Sequence, residues 1–172
     1  MPGIAAGLVG LFALLPRIDP LGENVAGFRV HYDRFVVVVT AFLAALHLAV
    51  LAVNLGYAVD VTTIAVAGAA ALFYYLGTLL PHVEPNWFLG IRTPWTLSDE
   101  TVWDRTHALG GRLFKLSALL AVAGLFAGEY AVYFLVGPAV ATAAITAAYS
   151  YVLYARRPAE GDDGDGAAPT AK

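Results

Sequence analysis

The sequence predicts an all-α protein of the polytopic membrane class, a bundle of about five transmembrane helices with a short surface helix. Three observations predict it. Hydrophobic residues make up 59% of the chain and charged residues 13%, with a mean hydropathy of +0.70; soluble domains sit nearer half apolar and a quarter charged. The apolar residues are gathered into runs of roughly the 20 residues that a helix needs to cross a bilayer. The basic residues fall between alternate runs and are missing from the links around Asp60 and Glu129.

The spans follow from these runs. Phe35–Val59, Val61–Leu80, Leu109–Gly128 and Ala131–Ala155 are each long enough to cross. Gly3–Leu15 is apolar but short: at about 1.5 Å per residue it does not reach across the hydrocarbon core. A cleaved signal peptide is the competing reading, but the run lacks a basic n-region and a clear small-x-small site. It is read as a short fifth span. With five spans, all ten Lys and Arg residues fall on one side. The positive-inside rule makes that side cytoplasmic and places the N-terminus outside. Residues 1–157 form a single transmembrane domain. The tail 158–172, rich in Gly, Ala and Asp and without an aromatic, reads as a disordered acidic segment.

Composition also excludes functions. The chain has no Cys, so disulfides, thiolate metal sites and Cys nucleophiles are ruled out. A net charge of −3 argues against a nucleic-acid partner. No Ser-His-Asp spacing, phosphate-cradling Gly loop or metalloprotease helix occurs. The expected protein is not an enzyme, and no cofactor or metal is assigned to it.

The link between the third and fourth spans holds most of the chemistry. Asn86, Gly90, Arg92, Thr93, Pro94, Trp95 and Thr96 lead into Trp103, Thr106 and His107. Pro81 and Pro85 stop the preceding helix, and Pro94 blocks helix across the middle. Ser98 reads as an N-cap, with Asp99 and Glu100 in the first turn of a helix that begins at Asp99. Trp103, His107 and Gly110 recur on one face of that helix. Glu100, Asp104, His107 and Gly111 define the neighbouring face, and Gly110–Gly111 is the expected bend into the next span.

Each of these residues has an ordinary role beside a functional one. Arg92 has three: an anchor on lipid phosphate, a donor fork that ties the loop, or a contact with a partner. Trp87, Trp95 and Trp103 read as an interfacial belt. Asn86 and Thr96 read as turn and cap residues, and Gly90 as a backbone angle that other residues resist. Inside the bilayer, Thr40, His47 and Asn54 share one helix face. His47 is either interhelical glue or part of a proton or substrate path, with Thr142, Thr146 and Ser150 as candidate partners. Glu100, Asp104 and His107, with His82 and Glu84 nearby, fit a Zn²⁺ face, but the acids fit a solvated helix start equally well.

The order Asn86-x-x-x-Gly90-x-Arg92-Thr93-Pro94-Trp95-Thr96, followed by Trp103 and Thr106-His107, resembles the SdpI family of membrane proteins. The upstream Leu15-Pro-Arg-Ile-Asp-Pro20 and Asn24 are similar to that family's loop after an earlier helix. The resemblance runs from about Leu15 to Gly128, and it implies a chain lacking the family's first N-terminal helix. It also implies an immunity protein, in which the motif residues face a partner. That partner is a secreted membrane-active toxin, and in some members also a transcriptional repressor held at the membrane. A small proton-coupled transporter using His47 and Asn54 is the alternative, and a membrane-embedded enzyme using the carboxylates and His107 is a second. The sequence does not identify the toxin or the oligomeric state.

Overall fold

A computed structural model of the chain describes residues 2–18, 27–86 and 88–157. Among the described residues every regular element is helical: α1 (Pro2–Ile18), α2 (Arg29–Asn54), α3 (Val61–Leu79), α4 (Pro94–Leu97), α5 (Glu100–Gly124) and α6 (Ala131–Ala155). A single 3₁₀ turn, Leu80–His82, extends α3, and another, Gly128–Tyr130, leads into α6. Three helical segments are long and apolar enough to cross a membrane: Arg29–Asn54, Val61–His82 and Gly128–Ala155. Three of the five expected spans therefore stand on length and composition. Of the other two helices, α1 has only 17 residues and α5 carries Arg112 and Lys115 in its apolar half.

Local chemistry sets the boundaries, and several differ from the sequence expectation. The span expected over Phe35–Val59 is shifted toward the N-terminus, as Arg29–Asn54. Its first turn is charged but paired, with Arg29 Nε donating to Asp33 Oδ1 at 2.9 Å, so the helix extends outward through polar residues. Asp60 caps α3: its Oδ1 accepts from the N–H groups of Thr62 and Thr63, and its Oδ2 from the Thr63 hydroxyl. These bonds hold the Asp60 carboxyl below its ordinary pKa. Residues Leu15–Ile18, expected in a loop, belong to α1. Asp19, Pro20, Asn24, Trp87 and the acidic tail lie outside the described residues.

The helices run up and down, and α5 packs between α3 and α6. In hydrocarbon, water does not drive helices together, so association depends on close packing and hydrogen bonds. The contacts fit that rule. A Cβ on Gly77 would sit 2.6 Å from the Gly111 carbonyl oxygen, and one on Gly111 would sit 2.9 Å from that of Gly77. At the far end Gly124 lies against Phe134. Between α5 and α6, Ser117 Oγ and Thr142 Oγ1 share a hydrogen bond at 3.0 Å. The close approach of Gly111 to Gly77 and Pro81 also corrects the expected bend. The surface helix and the third long span form one continuous α5; Gly111 serves close contact with α3, and Gly110 makes room for Ile91 of the loop.

One end of the bundle is thereby extended. The contact at Gly111 is level with the end of α3, yet α5 begins at Glu100. Its first ten residues rise about 15 Å past the end of α3. The central loop, residues 83–99, wraps this ledge. A core cluster of Phe28, Tyr32, Leu79, Val83 and Trp103 seals the junction.

Candidate functional site

The loop is built from the bottom by side chains that replace missing backbone partners. Asn86 is buried and makes four hydrogen bonds among the described residues. Its Nδ2 donates to the carbonyls of Glu84 and Leu89, each at 2.9 Å, and its Oδ1 accepts from the N–H groups of Phe88 and Leu89. An amide supplies both signs at once, so one residue closes the turn. Gly90 follows with φ +123°, a conformation that a side chain would strain. A Cβ there would also lie 2.5 Å from His107 Nε2 and 3.1 Å from the Trp103 ring.

His107 and Trp103 are the posts on which the loop rests. Ile91 N–H donates to His107 Nε2 at 2.9 Å, and His107 Nδ1 lies 2.8 Å from the Trp103 carbonyl oxygen. Because Nε2 must accept, Nδ1 carries the proton, and the ring is the neutral Nδ1–H tautomer. Burial pushes its pKa below the ordinary value, against smaller opposing effects from the Trp103 carbonyl and Asp104. Trp103 stacks on this imidazole with ring centroids 4.1 Å apart, and its Nε1 donates to the Val83 carbonyl at 2.7 Å. Trp103 is fully buried. This corrects its expected place in an interfacial belt: the loop covers it, and helix periodicity alone does not disclose that cover.

The second half of the loop is tied to α6. Pro94 does not block a helix; it opens α4 from the first turn, where its missing N–H costs nothing. Thr93 caps α4 in a reciprocal box with Thr96. Thr96 is buried, and its hydroxyl donates toward the carbonyls of Ile91 at 2.8 Å and Thr93 at 3.0 Å. Thr93 Oγ1 meets Ser150 Oγ of α6 at 3.1 Å, and Trp95 packs edge-on against Tyr151 with centroids 5.2 Å apart. Asp99, not Ser98, caps α5, and its other carboxylate oxygen pairs with Arg157 at 2.8 Å. Ser98 instead donates to the Pro94 carbonyl.

Arg92 stands apart from this network. The backbone is pinned on both sides of it, at Ile91 and at Thr93, yet the side chain is exposed. Among the described residues its guanidinium makes no hydrogen bond or ion pair, so it is not the donor fork that ties the loop.

Asn86, Gly90, Arg92, Thr93, Pro94, Trp95, Thr96, Trp103, Thr106 and His107 thus meet at one end of the bundle. Thr106 is fully buried, and its hydroxyl has no partner among the described residues. His47 and Asn54 lie elsewhere, on α2. Asn54 is exposed at the end of that helix, and Thr40 Oγ1 donates to its own helix at Val36. His47 Nδ1 is buried without a partner among the described residues. The partners expected for it are engaged elsewhere: Thr142 with Ser117, Thr146 with α6 carbonyls and Ser150 with Thr93. Among the described residues no three or more His, Asp or Glu side chains converge for a metal. His107 faces inward with both nitrogens used, whereas Glu100 and Asp104 are exposed. The site residues that sequence reasoning missed are Val83, Ser150, Tyr151 and Arg157. Only Ser150 carried a signal, as the end of a polar row with Thr142 and Thr146 on an otherwise apolar helix.

No solved structure matches the chain. Residues 82–150, which hold the loop, α4, α5 and most of α6, match the model of the SdpI/YfhL protein family. Immunity protein SdpI of Bacillus subtilis (strain 168) is 31% identical over 110 residues, 63% of this chain and 53% of that protein. The chain spans about half the length of that curated relative. The chain, with three helices able to cross a bilayer, is thus similar to the SdpI/YfhL family over a segment that holds the loop residues Asn86 to His107.

Proposed function

We propose that the chain is an immunity protein. Embedded in the cell membrane, it protects against a secreted membrane-active toxin and offers its loop end to a regulator such as a transcriptional repressor. The loop end faces the cytoplasm, because every Lys and Arg of the sequence belongs to that side of a five-span topology. One observation carries the reading. A turn is locked to two helices by buried hydrogen bonds, and Arg92, a cation unpaired among the described residues, points outward from it. A loop that only connected two spans would not need that number of internal bonds. Presentation of a planar donor fork from a fixed backbone position suits recognition of a carboxylate or phosphate. The similarity to an immunity protein supports the same reading.

The test is survival of toxin-sensitive cells that express the chain. Cells carrying the wild-type chain survive exposure, and Arg92→Ala at matched membrane abundance removes protection. If wild-type cells die at the rate of empty-vector cells, immunity is the wrong function. One observation favours a second reading, a proton-coupled carrier: the Nδ1 of His47, unpartnered among the described residues, within a membrane-spanning helix. Proton uptake by proteoliposomes that is lost in His47→Ala distinguishes it.

A further inference from the structure

The last turns of α6 stand against the loop. Thr93 Oγ1 meets Ser150 Oγ at 3.1 Å, and Trp95 packs on Tyr151. Further along, Arg157 pairs with Asp99, the cap of α5, at 2.8 Å. Its guanidinium also lies over the Tyr154 ring, 4.7 Å from the centroid. The point where the chain leaves α6 is therefore fixed beside the loop end. From Ser150 to Arg157 the chain rises about 10 Å. Thr93 is the neighbour of Arg92, so the exit at Arg157 and the Arg92 guanidinium belong to one small region.

The charges on the two sides of that exit are opposite. Arg92 and Arg156 are exposed, and neither makes a hydrogen bond or ion pair among the described residues. Beyond Arg157 the sequence places Glu160, Asp162, Asp163 and Asp165 close together, with Lys172 as the one base. These positions lie outside the described residues, but the place of Arg157 limits what they reach. Between Arg157 and Asp163 the chain extends at most about 20 Å, enough to cover the path to Arg92. Arg156 is the competing cation. However, α6 ends at Ala155 and Pro158 does not resume it, so Glu160 is not stacked one helical turn from Arg156.

We infer that the acidic segment 160–165 folds back over the loop end and pairs with Arg92. One exposed ion pair is weak. Here four interchangeable carboxylates compete for one guanidinium, and the tether holds them at an effective concentration of about millimolar. The planar fork takes a carboxylate through two parallel N–H donors. The segment is thus an internal occupant of the recognition site proposed above, and its regulatory consequence rests on that reading. A regulator that brings a carboxylate or phosphate to Arg92 has to displace the segment, which sets a threshold for its capture.

The experiment uses the full chain in phosphatidylcholine nanodiscs. The sequence has no Cys, so Leu97→Cys, at an exposed position of α4, and Gly166→Cys each take one spin label. Pulsed electron resonance then reads the distance between the two labels. The expected result at low salt is a short-distance population, reduced about two-fold or more by Arg92→Ala, and equally by joint Glu160→Gln, Asp162→Asn, Asp163→Asn and Asp165→Asn. Salt at about 1 M, where the Debye length is about 3 Å, also removes it. Arg156→Ala leaves it in place. A population unchanged in Arg92→Ala overturns the proposal, and so does one lost in Arg156→Ala alone. Absence of any short-distance population in the otherwise wild-type chain overturns it too, and leaves Arg92 to lipid phosphate or to a separate partner. The distances need no toxin and no regulator, so a failure of the immunity reading is told apart from a failure of this one.

Discussion

Replacing Gly90 by Ala tests the loop architecture at its tightest point. Three costs add. A side chain at φ +123° is strained by about 1–3 kcal/mol. The new Cβ falls 2.5 Å from His107 Nε2 and 3.1 Å from Trp103, and such overpacking costs about 1–3 kcal/mol. Moving His107 away gives up the bond from Ile91 N–H, about 1 kcal/mol. The sum is on the order of 3–5 kcal/mol, since relaxation recovers part of each; 3 kcal/mol alone is about a hundredfold in the folding equilibrium. The assay is reversible unfolding in mixed micelles, followed by Trp fluorescence. Gly128→Ala is the control. Its φ is +58° with nothing within 4 Å of a Cβ, so it carries only the backbone term, about 1–2 kcal/mol. If Gly90→Ala costs no more than Gly128→Ala, the packing of His107 against the turn is wrong.

Trp103→Phe keeps an apolar ring but leaves the Val83 carbonyl without its donor; a loss of about 1–3 kcal/mol is expected in the same unfolding assay, and a neutral result refutes the buried bond. His107 is neutral when folded, with a pKa lowered from 6.5, so an unfolded chain binds its proton more readily. The stability it contributes is full above about pH 6.5 and falls as the pH drops from there toward the folded value. His107→Gln, which cannot be protonated, flattens that part of the pH profile; an unchanged profile contradicts the assignment. His47→Ala removes a ring whose Nδ1 has no partner among the described residues, so abundance and protection are expected to survive and stability to fall by no more than about 1–2 kcal/mol. Loss of protection at normal abundance would favour the carrier reading instead.

The parts of the site that were legible in the sequence are those fixed by local chemistry. Asn86, Gly90 and Thr96 were readable as turn, backbone angle and cap because each acts on neighbours within a few residues. Trp103, His107 and Gly110 were readable as one face because a helix repeats. What covers that face was not readable. Burial of Trp103 depends on Val83 and Phe28 arriving from other elements, and the tautomer of His107 depends on Ile91, sixteen residues away. The ties to α6 through Ser150, Tyr151 and Arg157 are longer still, with 57 residues between Thr93 and Ser150. The helix start at Arg29 and the unbroken run of α5 from Glu100 were missed for a different reason. Hydropathy finds the bilayer, but helices continue past it wherever caps and paired charges satisfy the backbone, as at Arg29 and Glu100.

Geometry or mere charge at Arg92 is the question on which the functional account depends. Lys keeps the charge, and with it the membrane orientation, but offers a point charge without the planar fork. The measurement is protection, or recruitment of a repressor to the membrane, in cells carrying wild type, Arg92→Lys or Arg92→Ala at matched membrane abundance. Recognition by the guanidinium fork requires Arg92→Lys to fail nearly as completely as Arg92→Ala. If Arg92→Lys protects like wild type while Arg92→Ala does not, Arg92 is a charge anchor, and the turn that holds it is not a recognition site.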